Sequence, residues 1–475
     1  MISDIINRFL KTSDFNRRLL ILTLVWSVSF LLAARQPRYI FYCIGDGMGM
    51  NQVEATQLYL SENVKDIRDS LLFTRFPVAG FATTHSASHY ITCSSAAGTA
   101  LSSGVKTKNN TVGIDPEGNP IPSLIVNAQA KGWKTAVITS MSVDDATPAA
   151  FYAHQNNRNL SYQIAIQAAE SGINFLGGAG LKSTKNKKSP TDPDAFDYFR
   201  EKGYIVVKGS CSRKISSAEK VLMLPKKSYP DVTLPYAIDR NNDDMQLTDL
   251  TLSALEFLQK DNPKGFFMVM EGGQIDHCSH VHDAAAVVNE VIDFDKNIRL
   301  VYEFYKKYPD ETLIVVTADH ETGGMALGIK YTVLNLQILK NQKISVNQLS
   351  AIIRDLRREK GKTATWNDVT TLLKTYLGFW DKVKISSEEE KLLQDCYATT
   401  FSEDDVNLVE TLYAKDDPLA VLAVGIMNQK AQVGWTTNSH SAASVPVYAI
   451  GVGAENFAGR MDNTDIKKRI EKLMK

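Results

Sequence analysis

Six side chains that can bind metal ions stand where hydrophobic segments end. They are Asp46 in Ile44–Gly49 (IGDGMG), Glu271, Asp276 and His280 in the run Glu271–His280, and Asp319 and His320 in Thr317–His320 (TADH). Each interrupts an apolar run where burial is deepest, and an unpaired buried charge is strongly destabilising. A bound cation explains this pattern better than packing does. Ser94, in a turn of small residues between these segments, then indicates a metal-assisted serine nucleophile.

Asp46 by itself has an ordinary explanation. The hydrophobic segment Tyr39–Ile44 leads into Gly45-Asp46-Gly47, ahead of a helix that is predicted to begin near Asn51. Ligands of open α/β sheets gather at such carboxyl ends. An aspartate in a glycine-rich turn is more often a turn or capping residue, however. The metal interpretation therefore depends on the other segments.

The other two segments support it. Asp276 and His280 are four residues apart and share one face if the segment after Ile275 is helical, which suits two ligands of one ion, whereas His277 would point elsewhere. A carboxylate and an imidazole also follow the apolar segment Thr312–Val316. Only eight histidines occur in the chain, and three of them fall in these segments. The alternative is a set of histidines that are hydrogen-bonded within the core.

The nucleophile is predicted from Thr92–Ala100, which is rich in Ser, Ala and Gly. Small side chains would let backbone amides at a helix start approach an oxyanion closely. The same composition suits a tight helix–helix packing seam, and the segment alone favours that explanation. Composition does not separate Ser94 from Ser95.

A cationic partner for an anionic substrate is predicted from a later segment. Asp145-Ala146-Thr147-Pro148 reads as a helix start after the strand Thr135–Ser140. Arg158 would then fall about three turns into that helix. A guanidinium directed at the site could bind a phosphate group through two parallel hydrogen bonds.

The elements that must position these residues alternate between strand-like and helical patterns. The strand-like runs are Tyr39–Ile44, Thr135–Ser140, Phe266–Glu271, Thr312–Asp319 and Pro446–Gly451. This alternation predicts a layered α/β sheet domain. From Gly323 to Val433 the chain becomes charged and amphipathic, with helical stretches such as Val346–Lys360 and Ser386–Asp395. We interpret that part as an inserted, mostly helical subdomain.

Composition excludes some functions. The 475 residues suffice for one large α/β domain with an insertion or for two to three ordinary domains. The chain has 53 basic and 53 acidic residues, so no net field attracts nucleic acid. Five widely spaced cysteines, an odd number, argue against a disulfide framework.

The N-terminal residues 1–34 resemble an export signal. Arg8, Lys11, Arg17 and Arg18 precede the apolar run Leu19–Ala34, which Arg35 follows. The run is shorter than the ~20 residues that span a bilayer, which favours a cleaved signal and a periplasmic or extracellular protein. An uncleaved signal-anchor and a buried core helix are the alternatives.

Together the motifs resemble the alkaline phosphatase family, through most of Arg38–His320 and again through Gly434–Gly453. The residues that carry the resemblance are IGDGMG, the Thr92–Leu101 turn running on into Gly104-Val105-Lys106-Thr107, ATPAA at Ala146–Ala150 and VTADHETGG at Val316–Gly324. The resemblance implies a three-layer α/β/α sandwich built from residues 38–322 and 434–475. It implies a crown-like helical insertion at residues 323–433.

The resemblance also implies roles for individual residues. Ser94 would be the phosphorylated nucleophile and Arg158 the phosphate ligand. One zinc ion would be held by Asp276, His280 and His440, and a second by Asp46, Asp319 and His320. Asp46 would bridge to a magnesium ion bound by Thr147 and Glu271. His440 comes from the resemblance alone, because Asn438–Ser441 reads as an ordinary polar loop.

The expected activity is hydrolysis of small phosphate monoesters through a phosphoserine intermediate, with two zinc ions and one magnesium ion. Metal-dependent phosphodiesterases, sulfatases and phosphoglycerate mutases use similar ligands at strand ends, so a different specificity is the first alternative. A non-catalytic phosphate-binding or metal-binding protein is the second. No nucleic-acid partner is expected, and a homodimer and an N-terminal membrane anchor remain open.

This chain departs from the family pattern beside the nucleophile. The family usually has Asp before it and Ala after it, whereas this chain has Cys93 and Ser95. Loss of the aspartate predicts a looser Arg158, unless another carboxylate such as Asp145 takes its place. Asp145 and His277 form a second variable pair, which is expected to tune the magnesium site without binding the ion.

Overall fold

The computed structural model describes residues 36–61, 71–209, 215, 218–330, 333–402 and 406–474. The predicted signal or anchor at residues 1–34 lies outside these residues and stays a prediction. Within the described ranges, no helix combines the length and the apolar character that crossing a membrane requires. Cys43, Cys93, Cys278 and Cys396 are free thiols.

A ten-stranded sheet forms the centre of the described molecule, in the order β16-β2-β15-β8-β1-β7-β3-β4-β6-β5. Its strands are β1 (Tyr39–Gly45), β2 (Val78–Thr83), β3 (Lys134–Thr139), β4 (Phe175–Gly177), β5 (Tyr204–Lys208), β6 (Lys220–Leu224), β7 (Phe266–Gly272), β8 (Thr312–Thr317), β15 (Val445–Gly451) and β16 (Gly459–Asp462). The five predicted strands are all present, with ends that differ by one or two residues.

The middle of the sheet brings the ends of three parallel strands together. In β1, Ile44 pairs with Glu271 of β7 on one side and with Thr317 of β8 on the other. Strand β15 runs antiparallel to both β8 and β2. The chain therefore enters β15 at the edge where β1, β7 and β8 end. Segments that follow those strands and the segment that precedes β15 meet at one place.

Helices cover the sheet. They are α1 (Met50–Leu60), α2 (Ser94–Ser103), α3 (Leu124–Ala130), α4 (Ala146–Ala149), α5 (Ser161–Glu170), α6 (Ala195–Glu201), α7 (Leu247–Gln259), α8 (Gln274–His280), α9 (Ala284–Lys307) and α14 (Asn463–Leu473). Every residue of β7 and of β8 is buried, as a parallel sheet requires when both faces are covered. The fold is the predicted α/β/α sandwich.

The part of the chain between Thr322 and His440 is mostly helical, as predicted. It contains α10 (Val346–Lys360), α11 (Trp366–Leu377), α12 (Ser387–Ser402) and α13 (Pro418–Ala431). Leu349, Leu373, Phe379, Leu393 and Met427 belong to an apolar core that is separate from the core around the sheet. A second core supports the predicted subdomain, whose boundaries at residues 323 and 433 stay predictions.

Three short antiparallel ladders lie within this part of the chain or at its ends. They are β9 (Glu321–Thr322) with β14 (His440–Ser441), β10 (Ala326–Leu327) with β13 (Val433–Gly434), and β11 (Val409–Glu410) with β12 (Lys415–Asp416). The first ladder pairs His440 with Thr322. It thus joins the two ends of the insertion next to the strand ends described above.

Candidate active site

Asp46 leaves the end of β1 and is held there by the adjacent strand. Its backbone N–H donates to the carbonyl oxygen of Gly272 at 3.2 Å. Gly47 follows with φ of +72°, and a Cβ at that position would lie 2.7 Å from Cα of Asp276. The turn therefore needs a glycine, both for its backbone conformation and for the approach of the next ligand-bearing segment.

Asp276, His280 and His440 face one another in a buried group. The predicted helix exists as α8, and it places Asp276 and His280 one turn apart, with 3.3 Å between Oδ2 and Nε2. His440 enters from β14, and its Nε2 lies 3.2 Å from Nε2 of His280 and 3.6 Å from Oδ1 of Asp276.

The backbone fixes the tautomers of these two imidazoles. Nδ1 of His280 lies 2.6 Å from the carbonyl oxygen of Asn438, and Nδ1 of His440 lies 2.8 Å from that of Thr92. A carbonyl accepts but does not donate, so each Nδ1 carries the proton and each Nε2 presents a lone pair. Two lone pairs and a carboxylate then face the same space. This arrangement suits a cation.

His320 repeats this arrangement on the other side of Asp276. Its Nδ1 lies 3.2 Å from the hydroxyl oxygen of Thr322, and its Nε2 lies 3.4 Å from Oδ1 of Asp46 and 3.2 Å from Oδ2 of Asp319. Both of these carboxylate oxygens are buried and have no hydrogen-bond partner among the described residues. Asp46, Asp276 and His320 also converge closely enough to hold one ion.

The pKa values of the buried carboxylates are also consistent with a site for cations. Burial, followed by the charges of Asp319, Asp276 and Glu271, raises the pKa of Asp46 well above its usual value. Burial also raises the pKa of Asp319 to about 7 and that of Glu271 to about 8. Asp276 is the exception, because His280 and the neighbouring imidazoles outweigh burial and lower its pKa. Cations among these groups would remove the repulsion and keep all four carboxylates ionised.

Glu271, Thr147 and Asp46 mark a third position. The hydroxyl of Thr147 donates to Oδ2 of Asp46 at 3.2 Å, so the two oxygens of Asp46 face different neighbours. Glu271 is buried at the end of β7 and accepts a hydrogen bond from Thr139 of the adjacent strand β3. These residues are oxygen donors, which is the ligand type that magnesium prefers.

Ser94 is the first residue of α2, and its hydroxyl lies 3.2 Å from Nε2 of His320. The side chain of the N-cap residue Cys93 makes no capping hydrogen bond, so the first N–H groups of the helix are available to an anion. The packing alternative is also correct, since a Cβ on Gly98 would lie 3.3 Å from Cα of Thr147. Small residues thus let α2 pack against α4 and hold Ser94 beside the candidate ligands. The hydroxyl of Ser95 lies instead 3.1 Å from Sγ of Cys93.

Arg158 reaches the site from a loop. The prediction of a three-turn helix was wrong, because α4 spans only Ala146–Ala149 and the chain then turns. The backbone N–H of Arg158 donates to the carbonyl oxygen of Asn110 at 2.8 Å, which fixes the loop. Its guanidinium Nη2 lies 3.3 Å from Oδ1 of Asp145. Of the two alternatives for its partner, the structure therefore shows Asp145.

Asp145 has a second cationic partner that the sequence did not indicate. Nζ of Lys182 lies 2.8 Å from Oδ2 of Asp145, and the backbone N–H of Lys182 donates to both carboxylate oxygens of Asp144. Although burial opposes it, Lys182 and Arg158 together hold the pKa of Asp145 below its usual value. In the sequence, Lys182 begins a polar stretch that looks like an exposed loop. Only the neighbouring pair Asp144 and Asp145 could have indicated that a second cationic side chain is needed there.

His277 and Tyr413 lie at the mouth of the site. Burial lowers the pKa of His277 to about 4, so its ring is neutral. The ring stacks on Tyr413, with 4.0 Å between centroids and 23° between planes. Tyr413 belongs to the insertion, in the loop of the β11–β12 hairpin. Nothing in its local sequence distinguishes it, so its position depends on the fold of the insertion.

The family comparison agrees with this geometry. The alkaline phosphatase family model matches residues 38–184 and 199–475. The chain belongs to the alkaline phosphatase family. It is therefore a phosphatase, and the family resemblance predicted from the motifs is confirmed.

Individual alkaline phosphatases align along most of the chain. Alkaline phosphatase 4 of Bacillus subtilis is 31% identical over 454 residues, which cover 92% of this chain and 89% of that protein. The Escherichia coli alkaline phosphatase is 28% identical over 339 residues, which cover 61% of this chain and 71% of that protein.

Solved alkaline phosphatase structures share the fold. The cold-active enzyme of Shewanella sp. matches with a TM-score of 0.76 and 28% identity, covering 92% of this chain and all of that one. The enzyme of Thermus thermophilus matches with a TM-score of 0.72 and 26% identity, covering 93% of this chain and 91% of that one. A variant of the TAB5 alkaline phosphatase with Mg bound matches with a TM-score of 0.65 and 26% identity, covering 93% of this chain and 99% of that one.

Proposed function

We propose that this alkaline phosphatase hydrolyses phosphate monoesters through a phosphoserine formed on Ser94, with two zinc ions and one magnesium ion as cofactors. The observation that carries the proposal is the position of Ser94. Its hydroxyl lies at the first turn of α2 and 3.2 Å from Nε2 of His320, beside both groups of potential ligands.

The donor sets fit these metals. Asp276, His280 and His440 offer a carboxylate and two imidazole nitrogens, which are usual zinc ligands, and Asp46, Asp319 and His320 offer a comparable set. Asp46, Thr147 and Glu271 offer only oxygen atoms, as magnesium prefers. When bound, the metals would acidify the serine hydroxyl and stabilise the charge on the leaving oxygen.

The chain's own groups supply the remaining steps. Ser94 Oγ forms a bond to phosphorus as the ester P–O bond breaks and the alcohol leaves. Water then cleaves the phosphoserine, which releases inorganic phosphate and restores the hydroxyl. Arg158 binds two non-bridging oxygens of the phosphoryl group, and its bond to Asp145 orients the guanidinium. The free N–H groups at the start of α2 favour the same negative charge.

A matched pair of serine variants tests the proposal. Ser94→Ala should lose nearly all turnover of an aryl phosphate monoester and keep its metal content. Ser95→Ala should retain most of the activity, since its hydroxyl bonds to Cys93 instead of facing the ligands. Acid quenching during turnover should trap phosphate on Ser94. Trapping on Ser95, or no trapping with full activity of Ser94→Ala, would contradict the proposed nucleophile.

Specificity is tested by the wild-type protein. Turnover of an aryl phosphate monoester should exceed turnover of the matching diester and of an aryl sulfate. A preference for the diester or the sulfate would favour the alternative specificities of related enzymes. We further propose an exported protein and a homodimer, which fractionation of cells and sedimentation of the purified protein would test.

A further inference from the structure

The β11–β12 hairpin extends from the insertion toward the active site and is firmly anchored at its base. Asp416 accepts hydrogen bonds from Nδ2 of Asn347 in α10, at 3.0 and 3.2 Å. The next residue, Asp417, is buried and receives Nη2 of Arg357, also in α10, at 2.6 Å. The loop is short, since Thr411 pairs with Ala414 and leaves only two residues between them. The anchored base and the short loop limit the positions that the two loop side chains can take.

The two loop residues have opposite environments. Leu412 is 61% exposed, whereas Tyr413 lies against the active site. The ring of Tyr413 stacks on His277, and its centroid lies 5.1 Å from that of His280 in an edge-to-face contact. One face and one edge of the ring are thus fixed by two residues of α8. His280 belongs to the ligand group of the first proposed zinc ion.

Tyr413 lines the same cavity as His277 and Asp145, and Asp145 is the carboxylate that binds the guanidinium of Arg158. The phenol therefore lies near the residue that is proposed to bind phosphate. A guanidinium only donates hydrogen bonds, so it cannot accept the phenol proton. Among the described residues, the Tyr413 hydroxyl has no hydrogen-bond partner. The hydroxyl proton is therefore available to an oxygen atom of a ligand in this cavity.

We infer that Tyr413 is a substrate-contacting residue, whose hydroxyl donates a hydrogen bond to a non-bridging oxygen of the phosphoryl group held by Arg158. This inference rests on the proposed function. It gives the insertion a direct part in binding the phosphoryl group. The ring, fixed by His277 and His280, sets the direction of the hydroxyl and forms a wall beside the leaving group.

The test uses the metal-loaded full chain and two neighbouring variants. Tyr413→Phe removes the hydroxyl and retains the ring contacts, and Leu412→Ala alters the exposed neighbour in the same loop. Inorganic phosphate is titrated into each protein by calorimetry, and metal content and melting temperature are measured in parallel. Tyr413→Phe should bind phosphate about tenfold more weakly, as expected for one hydrogen bond to a charged group, and Leu412→Ala should bind within twofold of wild type.

The outcomes separate this inference from a purely structural role. If Tyr413 only packs against His277, Tyr413→Phe binds phosphate like wild type, and that result overturns the inference. Equal weakening in Leu412→Ala would also overturn it, because the effect would then reflect a displaced hairpin. If the wild-type protein binds phosphate but does not hydrolyse monoesters, the proposed function fails instead, while the phosphate contact is still measured directly.

Discussion

Replacing Cys93 with aspartate tests how Arg158 is held. Cys93 precedes Ser94, the proposed nucleophile, at a position where the family resemblance predicts Asp. Its Sγ lies 3.1 Å from the backbone N of Asn110 and 3.1 Å from the hydroxyl oxygen of Ser95. A carboxylate there would find two hydrogen-bond donors, and Arg158 is close in the chain's path, since its backbone N–H donates to the same residue, Asn110. We therefore expect Cys93→Asp to fold and to give Arg158 a second anionic partner.

The magnitude follows from the present partner of Arg158. Asp145 already binds it, although 3.3 Å is long for a charge-assisted hydrogen bond. A new bond of this type contributes roughly 1.5–3 kcal/mol at full strength. Because Cys93 is partly exposed and Arg158 is already oriented, we expect about 1 kcal/mol. Phosphate should bind about fivefold more tightly, and turnover should slow wherever product release limits it.

The assay is calorimetric titration of phosphate into the metallated protein, together with kcat at saturating substrate. Cys93→Asn is the matched control, because it retains the shape of aspartate without the charge. Tighter binding in the Asp variant alone would support the argument. Unchanged binding in a stable, metallated Asp variant, or binding weaker than in the Asn variant, would refute it, since repulsion of the phosphate would then exceed the gain in orientation.

Three further predictions concern the metals and the groups around them. Treatment with a chelator should abolish activity and lower the melting temperature, and zinc plus magnesium should restore both; full activity in protein shown to be metal-free would contradict the metal assignment. Thr322→Val removes the hydroxyl that contacts both Asp276 and His320, so metal retention against a chelator should fall about 10–100-fold, whereas Thr322→Ser should behave like wild type. Lys182→Met leaves Asp145 with one cationic partner. Because the lysine side chain is about one-third exposed, we expect the free energy of unfolding, measured by denaturant titration, to fall by about 1 kcal/mol. No loss relative to Lys185→Met in the same loop would show that the ion pair is not stabilising.

The sequence predicts the strands and the candidate ligands after them because both signals are local. The apolar runs that form β1, β7 and β8 are unbroken, and a carboxylate or imidazole follows each within a few residues. The spacing of Asp276 and His280 also needs only one helical turn, which α8 provides. Such features do not depend on how distant segments meet.

Other parts of the site depend on distant segments. His440 reaches the ligands only because β15 runs antiparallel to β8, and an antiparallel strand has no distinct sequence signal here. The partner of Arg158 could not be identified from the sequence, because it depends on the path of the chain after α4, where a turn replaces the predicted helix. Lys182 and Tyr413 come from segments that look like ordinary loops. Residue type indicates chemistry, but only the fold determines which charges meet.

The ladder of β9 with β14 has a consequence for the evolution of this enzyme. It pairs Thr322 with His440, so the two ends of the intervening hundred or so residues are fixed beside the candidate ligands. The entropy of closing a loop grows only slowly with its length. Segments between these ends can therefore be lengthened, shortened or exchanged while Thr322 and His440 keep their positions.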